Sequence, residues 1–218
     1  MSDVRRLWIP GPVGRLEAAL RVAHAPTALA IVAHPHPQHG GTLDNAVVFH
    51  AERELHRLGL TTLRFNFRGA GASDGVHDEG RGEVEDVAAA AAWLRGLADD
   101  LPLLLVGYSF GSWCALRHAA RDSSVRGLIA IGLPVGIYDV AASVAVLGRP
   151  FAVVQAEADE FGDPDAVRAA LRNARPVADL RIVGGTTHLF AGKAREAAAE
   201  ASAAAREMLA GPRGDIPA

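Results

Sequence analysis

Cysteine is almost absent: the 218-residue chain has one, Cys114. No intramolecular disulfide can form, and a lone cysteine in a helix-like stretch reads as a small buried residue. Basic charge is not in excess either. The formal net charge is -3, which provides no field for nucleic acid, so no nucleic-acid partner is expected. No apolar run reaches the length of a membrane span, so no membrane partner is expected. Met1 to Pro10 contains arginines but no apolar core of signal-peptide length, and a cytoplasmic location is the expectation. Internal repeats and a domain-separating linker are also lacking. Residues 1–210 are therefore read as one domain, with a Gly- and Pro-containing tail, Gly211–Ala218, expected to fray.

What is there is a large apolar fraction, 50% of the residues, enough for a substantial core. Short β-rich runs alternate with helix-like runs. Strands are expected at Leu16–Val22, Leu29–Ala33, Thr61–Phe67, Leu103–Val106, Val125–Ile131, Phe151–Gln155 and Leu180–Val183. Helices are expected at Asn45–Leu58 (stopped by Gly59), Glu83–Leu97, Ser109–Ala120, Asp165–Ala174 and Lys193–Leu209. Strands separated by helices need crossover connections, which implies an α/β fold with a mostly parallel sheet covered on both faces. Between Val125–Ile131 and the next strand lie only Leu133–Arg149. That segment holds at most one short helix (Tyr138–Leu147), so no large cap domain is expected and the site should be open.

Residues 107–111 read Gly-Tyr-Ser-Phe-Gly, directly between an expected strand and an expected helix. In that context G-x-S-x-G has a mechanism. Two residues without a Cβ allow strand and helix to approach at a sharp turn, which lifts the Ser109 hydroxyl off the sheet. The following N–H, that of Phe110, then sits at a helix N-terminus and can hold a developing oxyanion.

A nucleophilic serine needs a base and an orienting acid, in chain order Ser…Asp/Glu…His in this context, gathered at the carboxyl ends of parallel strands. His188 follows Leu180–Val183 and is the only histidine after the motif except His118, which lies inside the expected helix. It is the candidate base. Four carboxylates follow Phe151–Gln155. Asp159 is preferred and Asp163 is second, while Glu157 could brace the loop and Glu160 is expected to be solvated.

Several further motifs occur in a recognisable order. They are His34-Pro35-His36-Pro37, Gly40-Gly41-Thr42 with Asn45, and Arg64-Phe65-Asn66-Phe67-Arg68-Gly69 with Gly71 and Ser73. The Gly107–Gly111 motif, Glu157-Ala158-Asp159 and Thr187-His188 follow. Over residues 30 to 195 the chain resembles the α/β-hydrolase superfamily, in particular its small, dienelactone-hydrolase-like members. The resemblance implies an eight-stranded sheet and a Ser109–Asp159–His188 triad. Ala156-Glu157 departs from the Gly-Glu such proteins often carry.

In this fold the second oxyanion donor comes from the loop after the third strand. Pro35 and Pro37 have no N–H, which leaves His36 to partner Phe110. His34, Tyr108 and Arg68 are candidates for lining the pocket, although the favoured reading has His34 hydrogen-bonding on the core side of the loop and His36 lining the pocket. For Arg68 the alternatives are contact with a substrate carboxylate or phosphate, or an ion pair bracing the loop with Asp74 or Asp86. The favoured one is the brace. A metal on His34, His36 and His39 is the rival reading of that segment, but no carboxylate or cysteine completes a set locally, so no metal is expected. The acidic stretch Asp74, Asp78 and Glu79, with Arg81 and Glu83, is expected to be a solvated loop and helix start. Trp93 and Trp113 are expected in the core.

The combined expectation is a serine hydrolase that cleaves an ester or related acyl bond in a small-molecule substrate through an acyl-enzyme, without a cofactor. Thioesterase, peptidase and acyltransferase chemistry on the same triad, and a non-catalytic binding protein, are the alternatives. A homodimer is left open.

Overall fold

The computed structural model describes residues 4–211. Of the tail expected to fray, only Gly211 lies among them. Strands β1 (Arg5–Gly11) and β2 (Gly14–Arg21) form an antiparallel hairpin. They are followed by β3 (Ala28–Ala33), α1 (Ala46–Arg57), β4 (Leu60–Phe65), α2 (Arg81–Arg95), β5 (Leu103–Tyr108) and α3 (Phe110–Ala119). The second half adds β6 (Val125–Ile131), α4 (Ala141–Val146), β7 (Phe151–Ala156), α5 (Pro164–Leu171), β8 (Asp179–Val183) and α6 (Ala194–Ala210).

All eight strands form one sheet in the order β1-β2-β4-β3-β5-β6-β7-β8. β2 pairs antiparallel with both neighbours, and every other pair is parallel. The central strands are buried on both sides, and their side chains divide between two cores with period two. Leu29, Ile31, Leu103, Leu105, Leu128, Ala130, Phe151 and Val153 face α2, α3, α4 and α5. Ala30, Val32, Leu104, Val106, Ile129, Ile131, Ala152 and Val154 face α1 and α6. Cys114 is buried among the first set. Trp93 and Trp113 pack against it only partly buried.

Element ends differ from the expected ones for local reasons. β1 was not expected: its Arg-Arg start and Pro10 hide it, and it is an edge strand whose one sheet partner is β2, with Ile9 buried in the core that α2 covers. The fourth strand stops at Phe65 rather than Phe67. Asn66 donates its N–H to Glu17 O instead, and Phe67 donates to His34 Nε2. α2 starts at Arg81 because the Glu83 carboxylate reaches back to the N–H groups of Asp78 and Gly80, 2.8 Å each. Glu83 is thus buried, not solvated. Asp163 caps α5, accepting from Asp165 N and Ala166 N at 2.9 Å, and Pro164 occupies the first turn. The segment before β7 contains α4 and no inserted domain.

Candidate active site

The turn between β5 and α3 explains the spacing Gly-x-Ser-x-Gly. A Cβ on Gly107 would collide with the Gly111 carbonyl, and one on Gly111 with the His34 carbonyl. Only hydrogen fits at both places, so the helix start can lie directly on the ends of β3 and β5. Ser109 takes φ 53° and ψ -122°, a conformation costly for a side-chain-bearing residue. It is held there by its N–H to Ile131 O at 2.9 Å and by its carbonyl, which accepts from Ser112 N at 2.8 Å.

This conformation aims the Ser109 hydroxyl at the loop after β8. Its Oγ lies 2.7 Å from His188 Nε2, and His188 Nδ1 lies 2.9 Å from both carboxylate oxygens of Asp159. An ionised carboxylate only accepts, so Nδ1 donates, leaving Nε2 to accept the serine proton. Asp159 and His188 are each 3% exposed. The imidazole is clamped on several sides. Phe161 meets it edge-on at 4.7 Å, and Tyr108 stacks on it at 5.8 Å. The Tyr108 hydroxyl donates to the His188 carbonyl at 2.9 Å; burial pushes that hydroxyl's pKa up, so it remains a donor.

The acid has its own supports. Gln155 Nε2 donates to Asp159 Oδ2 at 2.9 Å and to Gly162 O at 2.7 Å, while its Oε1 accepts from Leu133 N at 2.9 Å. Phe161 N–H donates to Asp159 Oδ1. Gln155 was not singled out from the sequence. Its strand reads as an apolar run, and only the side-by-side placement of β6, β7 and the acid loop gives its amide partners.

The other carboxylates of that loop take separate tasks. Asp163 is turned into the cap of α5, away from the imidazole. Glu157 accepts from Gly185 N at 2.8 Å and braces the loop before His188. Glu160 is not simply solvated. It accepts the His188 N–H at 3.0 Å, and backbone hydrogen bonds hold its carboxyl below the usual range.

A cleft of about 540 Å³ opens over Ser109. His36, Phe110, Tyr108, Tyr138, Phe161 and His188 are among its walls. His36 begins a short 3-10 turn, with its side chain accepting from Gln38 N at 3.2 Å. Its ring lies 4.7 Å from those of His39 and His77, and 4.8 Å from that of Phe110. Burial, then the neighbouring His77 and His39, lower its pKa.

Two of the candidates for lining the pocket, His34 and Arg68, brace the loop from behind it. His34 is fully buried behind the loop, its Nδ1 on Pro35 O at 2.6 Å and its Nε2 accepting from Phe67 N at 3.0 Å. Both ring nitrogens are occupied, and burial lowers its pKa to about 4. Arg68 forms a fork on Asp86, with Nε and Nη2 at 3.0 and 2.7 Å, and the same carboxylate accepts the Arg68 N–H. Asp74 instead holds Arg15 N–H at 2.7 Å. Both side chains thus point behind the loop, and of the two partners considered for Arg68 it is Asp86 that takes it. Among the described residues, no three His, Cys, Asp or Glu side chains are grouped to hold a metal ion.

Comparison with known proteins shows what the chain is similar to. The sequence pattern of the alpha/beta hydrolase fold matches residues 38–172. An uncharacterized protein of Rickettsia prowazekii is 34% identical over 201 residues, covering 88% of this chain and 84% of that protein. An α/β serine hydrolase without a lid from Xanthomonas campestris is 35% identical, with a TM-score of 0.86 over 94% of this chain and 95% of that one. An α/β serine hydrolase homologue from Coxiella burnetii is 33% identical, with a TM-score of 0.85 over 93% and 97% of the two chains.

Proposed function

The chain belongs to the α/β-hydrolase fold family, and within it we propose a serine esterase working through Ser109, His188 and Asp159. The observation that carries this reading is the unbroken hydrogen-bond chain from Ser109 Oγ through His188 to Asp159, built on a turn whose geometry exposes the hydroxyl.

In this mechanism His188 Nε2 takes the Ser109 proton as Oγ attacks the ester carbonyl. Asp159 keeps the imidazole in the required tautomer and stabilises the imidazolium. The carbonyl oxygen, now an oxyanion, is held by the Phe110 N–H at the start of α3 and by the His36 N–H. The α3 terminus adds the positive end of its dipole. Collapse of the tetrahedral intermediate passes the proton from His188 to the leaving alcohol and leaves an acyl-enzyme on Ser109. Water, deprotonated by His188, then releases the acid. The substrate is a small molecule with an ester or related acyl bond, reached through an open cleft without a cap.

The test is labelling with an uncharged fluorophosphonate and turnover of p-nitrophenyl esters. The parent should be labelled at Ser109 and Ser109→Ala should not. Ser109→Ala should also lose on the order of 10⁴–10⁶ in kcat while keeping its fold, and Asp159→Asn at least about 10³. Turnover by Ser109→Ala within about tenfold of the parent, against that expected loss, would overturn the proposal.

A further inference from the structure

The cleft over Ser109 has no arginine, lysine, aspartate or glutamate in its lining. Its walls are largely rings, with Asn45 and the exposed His39 on the side of the His36 loop, and the rest of its mouth is apolar. Ile137 is 54% exposed there, Leu189 67% and Phe161 37%. Isolated exposed apolar residues need no explanation, but three around the opening of one cleft form a contact surface. The wall on the α3 side is built of packed rings. Tyr138 stacks on Trp113 with centroids 4.2 Å apart at 15°, and Phe110 packs against both.

Cations that could enter are committed elsewhere. The Arg68 guanidinium is forked onto Asp86. Arg64 is buried on Leu43 O and Asp44. The negative groups nearest the base are Asp159 and Glu160, both bonded to His188 itself. An anionic substrate group would therefore give up hydration, meet no arginine or lysine and approach two carboxylates. The imidazole of His36 does not fill the cation's place, because its Nδ1 accepts from Gln38 N and its neighbours oppose its charging.

From this lining we infer the substrate class: an ester whose acyl group is uncharged and apolar, aromatic or of medium chain length, and carries no carboxylate. This rests on Ser109 being the nucleophile of the proposed reaction. Ile137, Phe161 and Leu189 are the residues that set the preference, because an acyl chain too long for the immediate surroundings of Ser109 lies against them.

The experiment compares p-nitrophenyl acetate, hexanoate and benzoate with the p-nitrophenyl monoester of glutaric acid, similar in length to the hexanoate but ending in a carboxylate. Hexanoate and benzoate should each exceed acetate in kcat/KM by about tenfold or more, as expected for burial of several apolar carbons. Hexanoate should exceed the glutarate monoester by about 100-fold, the scale of an unpaired desolvated charge. Ile137→Arg and Leu189→Arg should each narrow that second ratio at least about fivefold by placing a cation at the mouth. A ratio near one or inverted in the parent, with Ser109 still labelled by fluorophosphonate, overturns the substrate assignment alone. Failure of labelling together with failure to turn over any ester overturns the nucleophile, and the substrate class falls with it.

Discussion

Gln155 shows how much one neutral side chain can order. Its amide is used completely, with both N–H bonds donated and the oxygen accepting from Leu133 N–H, which also fixes which end of the amide faces Asp159. Replacing it by methionine keeps the volume but takes the bonds from the Leu133 N–H and the Gly162 carbonyl and leaves Asp159 Oδ2 with His188 as its one donor. Gln155→Met should lower kcat about 10- to 100-fold by loosening the acid, while KM stays within about twofold because the side chain does not line the cleft. Steady-state kinetics on a folded sample checks this, and an unchanged kcat would remove Gln155 from the site's support. His34 gives a prediction in pH. The unfolded chain binds its proton at the ordinary value of 6.5, whereas burial lowers the native value to about 4. Between these limits the unfolded state holds more protons, so stability falls as pH drops through that window. The loss from this group amounts to about 3 kcal/mol at and below pH 4. Urea midpoints of the parent and of His34→Gln should diverge in slope from pH 6.5 downward, with the parent falling more steeply. Parallel curves would show that His34 does not govern the acid limb. A core-side hydrogen bond was the expectation for His34, but its partners, Pro35 O and Phe67 N, appear only once the loop is folded over it, and a glutamine in an apolar run shows no partner.

At the scale of elements, the local signals were readable and the long-range ones were not. Gly107 and Gly111 announce a strand meeting a helix because the cause is a clash a few residues away. Central strands announce themselves by apolar runs, since both faces are covered. β1 did not, because its partner β2 supplies the reason for its conformation. The acid loop shows the same division: four carboxylates of similar local sequence take four jobs fixed by elements remote in sequence or just beyond. Asp163 belongs to α5, and Asp163→Ala should cost about 1 kcal/mol of stability by removing the cap. Ester turnover at a temperature where both proteins are folded should stay within about twofold, as for a surface change remote from the chemistry. Chemical denaturation and kinetics on the same preparation separate the two effects. A large loss of kcat without loss of stability would reassign Asp163 to the site.

On the scale of the whole molecule, the candidate site is assembled from the carboxyl ends of four parallel strands: β3 with the His36 loop, β5 with Ser109, β7 with Asp159 and β8 with His188. No helix among the described residues is long and apolar enough to cross a membrane. The sheet order places these strands unequally. β3, β5 and β7 each have a neighbour on both sides, but β8 is the last strand and pairs with β7 alone. Beyond that pairing it is tied to α6 by Arg181, which reaches Glu200 and Glu207, and by Val183, which packs in the core under α6. Edge elements open more readily than central ones. The proposed base therefore hangs from the part of the sheet that should exchange its amides soonest. On warming, ester turnover should disappear some degrees before the circular-dichroism transition of the sheet, and amide exchange should be fastest, within the sheet's parallel portion, across residues 179–183. Coincident midpoints by the two measurements would mean that β8 opens only with the whole. If instead they separate, the enzyme's working lifetime is set by detachment of one peripheral ribbon, and a substitution that pins that ribbon would extend activity in heat without altering the chemistry at its centre.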